Sequence, residues 1–467
     1  MPKFHLWSAA ALAGLFAAWA HGDDIPVPGG ILLGPGAGPL DPAKNLVHQA
    51  DAVPALVETP VGQALRVVLP SGKQWVAAGI QPAQGRWRLT GTQEVRAKVR
   101  NDGPAPITPI IEVGSAGGAV KAAASAPLAP GAETELVASY INPQVWKNTP
   151  PSILPDPGTG NRFVSNMVTQ VLFSIAPGET NGTLTVESIK ADQPPYSAPA
   201  WLGQRPPVDG AWTQTFDEEF NGDSIDETKW NVYAENYWDQ RSHFSKDNVI
   251  VGNGVAALRY EKKTGHQGDD PTKKQTDYAT GYLGTFGKWT QRYGYWEARM
   301  KVPKAPGLWP AFWLMPDRGE GADDRETTEN GGMEFDIMEF LSGWGPGRYN
   351  IAMHWDGYGD KHKTTAMPFT YGTPDKDGFI TAGLLWTPGS AIYYCNGREV
   401  LDFESPRVSN VPSYILFDFV SGGWENQPLD DTKLPDDFVI DYVRVWQRQD
   451  LASPDDGPKT PSTAALP

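Results

Sequence analysis

Cysteine is nearly absent: the 467-residue chain has one, Cys395. No intramolecular disulfide and no cysteine-built zinc site can form, and Cys395 is expected to behave as a small buried hydrophobe. Positive charge is also short. Thirty-nine Lys and Arg face 55 Asp and Glu, a net charge of −16 with a pI of about 4.9. A polyanion would be repelled over most of such a surface, which argues against nucleic-acid binding. Long apolar runs are lacking beyond the first twenty residues, so no later segment is expected to cross a membrane. Convincing helical periodicity is missing as well. Gly (50) and Pro (43) instead make up about a fifth of the chain. That composition suits many short strands joined by turns.

What is present begins with an N-terminal leader. Lys3, an apolar stretch from Leu6 to Ala18 and the small-x-small triplet Ala18-Trp19-Ala20 read as a signal peptide over residues 1–20. The mature chain is therefore expected to be secreted, extracellular or periplasmic, and monomeric. Residues 21–44 are a Gly/Pro-rich lead-in, expected to be irregular. Residues 45–192 hold alternating runs such as QALRVVLP, EVRAKVRN and GTLTVESI between turn signals, which predicts a small accessory β-sandwich. Its role is either glycan binding or that of a spacer, because Trp75, Trp87 and Trp146 are too sparse to define a platform. Five prolines mark 193–210 as a stiff linker. A second β-rich unit spans 211–448 and holds twelve of the 18 tryptophans; the polar tail 449–467 is expected to be disordered.

The chemistry concentrates in residues 332–341, GMEFDIMEFL. In a strand, alternate residues share a face, so Glu334 and Asp336 point one way and Met333, Phe335 and Ile337 the other. Glu339 breaks the period. A single β-bulge at Ile337-Met338 would restore it and bring all three carboxylates to one face. Three acids there repel one another, so at least one should bind its proton more tightly than usual. Glycoside hydrolysis needs that division between an attacking carboxylate and a proton-donating acid. A solvated acidic face and a site for a hard cation are the competing readings.

Sugar rings present apolar C–H faces that lie flat on aromatic rings. Trp309 and Trp313 precede the acidic strand; His354, Trp355, Trp386 and Trp424 follow it. A lone tryptophan is more often core than cleft, but on alternate positions of neighbouring strands some must share the acids' side. Trp309, Trp313, His354, Trp355 and Trp424 are the candidate substrate-binding residues.

Glu334-Phe-Asp336-Ile-Met-Glu339 matches the Glu-x-Asp-x-x-Glu signature of glycoside hydrolase family 16. FDEEFNG (216–222), RYGYWEARMKVPKAPGLWPAFWLMP (292–316), AMHWDG (352–357), LLWTPGSAIYYCNGREV (384–400) and FVIDYVRVWQ (438–447) resemble that family in the expected order. The resemblance covers 211–448. It implies an all-β protein, a concanavalin-like β-jelly-roll sandwich with a concave cleft. It also implies retaining endo-hydrolysis of a polysaccharide, with Glu334 as nucleophile, Asp336 assisting and Glu339 as acid/base. No cofactor is required for catalysis. A structural calcium on the convex face would fall to Glu219 and Asp441.

The spacing before Glu339 resembles the bulged branch, which includes laminarinases and red-algal galactanases. The 292–316 stretch looks most like laminarinases, making a β-1,3-glucan the first expectation. WDQRSHFSKDNV (238–249) departs from their pattern, and the 45–192 unit resembles modules seen ahead of agarases. A galactan hydrolase of agarase, porphyranase or carrageenase type is the alternative. A glycan-binding protein without catalysis is the remaining class, and it would be expected to have lost Glu334 or Glu339; this chain keeps both.

Overall fold

The computed structural model describes residues 24–70, 75–148, 163–345, 347–365, 369–423 and 426–459. The expected signal peptide and Trp424 lie outside them. Among the described residues no helix is long and apolar enough to cross a membrane. The chain forms two compact units: residues 24–143 with 163–195, and residues 144–148 with 196–459.

The first unit is a sandwich of a seven-stranded and a six-stranded sheet. Alternation builds it. In Glu94–Asn101, Val95, Ala97 and Val99 turn into the core while Arg96, Lys98 and Arg100 turn out. The lead-in is not irregular as expected: Asp24–Pro26 pairs with Arg86–Arg88, and Ile31–Leu33 with Gly182–Asp192. Trp87 is buried.

The second unit stacks a nine-stranded sheet on a seven-stranded one, as a concanavalin-like jelly roll requires. The seven-stranded sheet runs Tyr282–Gly284, Ser413–Ser421, Leu308–Pro316, Glu334–Glu339, Arg348–Trp355, then Lys363–Thr364, with Phe369–Tyr371 also on Arg348–Trp355. All of these pairings are antiparallel. The apolar halves of its strands meet the other sheet: Phe335 lies 4.9 Å from Trp386, and Phe417, stacked on its sheet neighbour Phe312, lies 6.3 Å from Phe438. Cys395 is buried in this core.

Three boundaries need correction. Trp146–Lys147 leaves the accessory unit and adds a parallel edge strand at Leu401–Asp402. The linker is held down from Tyr196 onward, with Trp201 set edge-on against Tyr295 and Tyr394. Five prolines stiffen it, but a partly buried aromatic side chain anchors it. The tail is ordered through Lys459: Gly457–Pro458 pairs with Trp289–Thr290, and Asp456 accepts hydrogen bonds from Arg292 and Gln447.

Candidate active site

One face of the seven-stranded sheet is sealed against its partner sheet, and the other carries the acids. On Leu308–Pro316 the acid-side residues are Trp309, Ala311, Trp313 and Met315. On Ser413–Ser421 they are Tyr414, Leu416, Asp418 and Val420. On Arg348–Trp355 they are Asn350, Ala352 and His354, because Tyr349, Ile351, Met353 and Trp355 belong to the core.

The bulge falls at Ile337-Met338. Asp336 pairs with Ala352 and Glu339 with Asn350, so two residues oppose the single Ile351. Both Ile337 and Met338 are buried in the core. The extra residue resets the alternation, and Glu334, Asp336 and Glu339 share one face.

No arginine or lysine bonds these acids among the described residues. Asp336 is 3% and Glu339 7% exposed. Burial raises the proton affinity of all three. Glu334 is raised further by the charges of Glu339 and Asp418, against a hydrogen bond from Asp336. Asp336 is raised well above the usual carboxylate range by burial, by Glu334 and by Glu339. It is therefore the residue that keeps its proton and donates it to Glu334. Glu339 is pushed up to about 7 by burial, against hydrogen bonds from Asn350 and Trp309. The Asn350 amide donates to Glu339 Oε2 at 2.7 Å. These donors stabilise an ionised Glu339 much as Asp336 stabilises an ionised Glu334, so the set shares its first negative charge.

Trp313 donates from its indole N–H to Asp418 Oδ1 at 3.0 Å, and Asp418 is pushed up to about 7 by burial. The Trp238 ring stands edge-on to Trp313 at 5.5 Å and is 40% exposed. Trp309 is partly buried on the acid side. Gly423, at φ +88°, lets the chain pass so close that a Cβ would come within 3.0 Å of the Trp309 ring. His354 Nε2 lies 3.4 Å from Asp336 Oδ2, and its Nδ1 lies 2.8 Å from His362 Nε2.

Trp355 must be reassigned. It is one residue out of phase with His354, 9% exposed, and packed on Phe403 between the sheets. The two acids expected to hold a calcium are both ion-paired. Arg444 holds Glu219 through both carboxylate oxygens, at 2.7 and 2.8 Å, while Asp441 bonds Arg299 at 2.6 Å. Arg299 also bonds Asp375, so Glu219 and Asp441 sit in separate ion-pair clusters. Among the described residues the group with metal-binding spacing is Glu334, Asp336 and His354, whose ligand atoms lie within 4.8 Å of one another.

Asn350, Asp418, His362 and Trp238 escape the sequence reading. Asp418 leaves a signal, as the lone acid in the apolar strand SYILFDFVS. Asn350 leaves one too, since it shares the phase of His354. His362 and Trp238 lie outside the paired strands and leave none.

Residues 212–448 match the family model described as Beta-porphyranase A-D, GH16 domain. The endo-1,3-1,4-beta-glycanase EglC of Rhizobium meliloti is 26% identical over 255 residues, 50% of this chain and 51% of its own length. The chain thus spans about half the length of that relative. Beta-porphyranase C of Zobellia galactanivorans is 27% identical over 296 residues, 52% of this chain and 81% of its own. Among solved structures, the non-specific endo-beta-1,3(4)-glucanase SCLam is 24% identical with a TM-score of 0.43, covering 55% of this chain and 95% of that one. The matched span contains the whole bulged acid strand and the sheet that carries it, and the chain belongs to glycoside hydrolase family 16.

Proposed function

We propose that the chain is a retaining endo-glycosidase acting on a β-linked glucan or galactan. The observation that carries this reading is the bulged strand, which sets two buried acids, Asp336 and Glu339, and the half-buried Glu334 without cationic partners on one aromatic-lined face. In the proposed reaction Glu334 attacks the anomeric carbon and forms a glycosyl ester, while Glu339 gives its proton to the leaving oxygen. Glu339 then removes a proton from water, which hydrolyses the ester. Substrate resolves the sharing of charge. A glycosidic oxygen placed against Glu339 accepts its proton, favours its neutral form and moves the negative charge onto Glu334. Asp336 keeps its own proton and steadies Glu334 with it. Side chains and water supply every group this scheme uses.

A β-1,3-glucan is the first substrate reading, supported by the similarity of residues 292–316 to laminarinases and by a 23% identical relative named Glucan endo-1,3-beta-glucosidase A1 in Niallia circulans. A red-algal galactan is the second, favoured by the porphyranase family model. The test is product analysis with laminarin, mixed-linkage glucan, agarose, porphyran and carrageenan. Oligosaccharides of retained configuration from laminarin support the first reading, and from agarose or porphyran the second. Inverted products, or no cleavage of any of the five, would sink the proposal. Secretion belongs to the same reading and is checked by recovering activity in the periplasmic or culture fraction.

A further inference from the structure

We infer that His362 is a positioning residue that fixes the tautomer of His354 and, through it, the proton shared by Asp336 and Glu334. The inference rests on the retaining reading for its consequence, but its geometry stands alone.

His362 comes from the turn after the Arg348–Trp355 strand. Its backbone N–H donates to Gly359 O at 2.9 Å, and Arg407 holds Asp356 at 2.9 Å at the start of the same turn. The chain folds back, and the two imidazoles meet edge to edge with centroids 5.0 Å apart and planes 12° apart, so a ring N–H can lie along the contact. His354 then has one ring nitrogen on His362, at 2.8 Å, and the other on Asp336, at 3.4 Å. The second distance is long for a hydrogen bond, and a small inward movement closes it.

Proton counting decides the direction. A 2.8 Å N···N contact holds one proton. Asp336 and Glu334 face each other with carboxylate oxygens within 4.8 Å, and Asp336, raised well above the usual carboxylate range by burial and by Glu334, is the one that carries the proton between them. Asp336 Oδ2 is buried without a hydrogen-bond partner, and with the proton on the other oxygen it can only accept. His354 must therefore present N–H at Nε2. Burial and His362 keep His354 neutral, with its pKa lowered to about 4. A neutral imidazole with N–H at Nε2 has a bare Nδ1, so His362 Nε2 must be the donor across the 2.8 Å contact. In the opposite tautomer two lone pairs would face each other at Asp336. Relief would require Asp336 to turn its proton away from Glu334 and strip the nucleophile of its donor.

The test uses the full chain labelled with 15N-histidine, which is tractable with seven histidines. The expected spectrum has His354 Nδ1 in the unprotonated range and Nε2 in the protonated range. His362→Leu should shift His354 toward the other tautomer and lower kcat about tenfold, the lower end for a lost orienting partner of a functional imidazole. KM should stay within about twofold. His362→Gln, whose amide can donate, should recover most of the loss. A protonated Nδ1 in the wild-type protein overturns the inference, whatever the enzyme proves to cut. A Gln variant no better than Leu, or a loss confined to KM, overturns it equally. Should His362→Leu fail to fold, the wild-type spectrum still decides the tautomer.

Discussion

Two sheet faces in this chain are built from the same alternation and carry opposite electrostatics. On the accessory sandwich, the outward residues of Glu94–Asn101 meet opposite charges from their own and neighbouring strands. Arg96 bonds Glu94 at 2.6 Å and Glu135 at 2.7 Å, and Lys98 bonds Glu133 and Glu187, each at 2.8 Å. Lys98 lowers the proton affinity of Glu133, and Arg100 lowers that of Asp102. On the Glu334–Glu339 strand the acids have no such cations, and burial drives every proton affinity up. Amphipathic alternation alone marks a sheet face. Charge of one sign on that face, set among aromatics and sheltered from water, marks a reactive one.

The sharpest way to break the comparison is to remove an unpaired acid. Glu334→Ala should lower kcat about 10,000-fold or more, since no other group can form the glycosyl ester. Glu339→Ala should be milder on substrates with good leaving groups. Azide should then rescue it by attacking the trapped ester, giving a product of retained configuration. Azide rescue of the Glu334 variant should instead need an activated substrate and give inversion. Retention from the Glu334 variant together with inversion from the Glu339 variant would reverse the two roles.

The next largest effect tests which residues belong to the cleft face. Trp355→Ala should cost about 3–5 kcal/mol of stability, the usual range for a truncated core aromatic, and leave KM nearly unchanged in whatever protein folds. Trp238→Ala should leave the melting temperature almost unaltered and raise KM on the order of tenfold, with a smaller change in kcat. A variant pair behaving the other way round would put Trp355 in the cleft and Trp238 in the scaffold.

That exchange also shows what was legible from residue order. Apolar–acidic alternation, with one acid out of step, was enough to locate the bulge at Ile337-Met338, because a strand's period of two leaves no other way to align Glu339. The same counting would have turned Trp355 inward, since it directly follows His354; proximity to the motif hid the parity. Ion pairing hid the state of Glu219 and Asp441, because their arginines come from 225 and 142 positions away in sequence. Trp238 and His362 reach Trp313 and His354 from loops, whose paths follow tertiary contacts and not local periodicity. The lead-in and tail looked irregular by composition, yet the lead-in adds short strands to the accessory sheets and the tail pairs with Trp289–Thr290 in a two-stranded ladder, since backbone pairing asks little of side-chain propensity.

Removing burial strain gives the third prediction. Glu339 rises from an ordinary 4.5 to about 7 on folding. The folded protein therefore binds more protons than the unfolded chain between those values, and stability falls as pH rises through them. The penalty is absent below about 4.5 and complete above about 7, and amounts to roughly 3 kcal/mol at 1.36 kcal/mol per pKa unit. Glu339→Gln should accordingly be more stable than the wild type at pH 8, with the advantage gone at pH 4, while its activity is lost. Thermal melts of both proteins across that range would check it. A Gln variant no more stable at pH 8 than the wild type would mean that Glu339 is solvated after all.

The smallest expected effect lies on the accessory sheet. Lys98 joins Glu133 and Glu187 across neighbouring strands, with Lys98 and Glu133 exposed and Glu187 partly so. Exposed pairs of this kind contribute little, because water screens the attraction and two long side chains must be held in place. Lys98→Ala should shift the melting temperature by no more than about 2 °C and leave kcat and KM as they were. Added salt should shrink even that difference, since the Debye length falls to about 3 Å at 1 M. The variant takes Lys98 from Glu133, whose carboxyl then returns to ordinary behaviour in water, while Glu187 keeps Arg100 at 3.4 Å. If Lys98→Ala instead destabilises the unit strongly, its charged face is more tightly coupled to the core than its exposure implies. If it alters KM, that face takes part in holding the polysaccharide, and the accessory unit is more than a spacer.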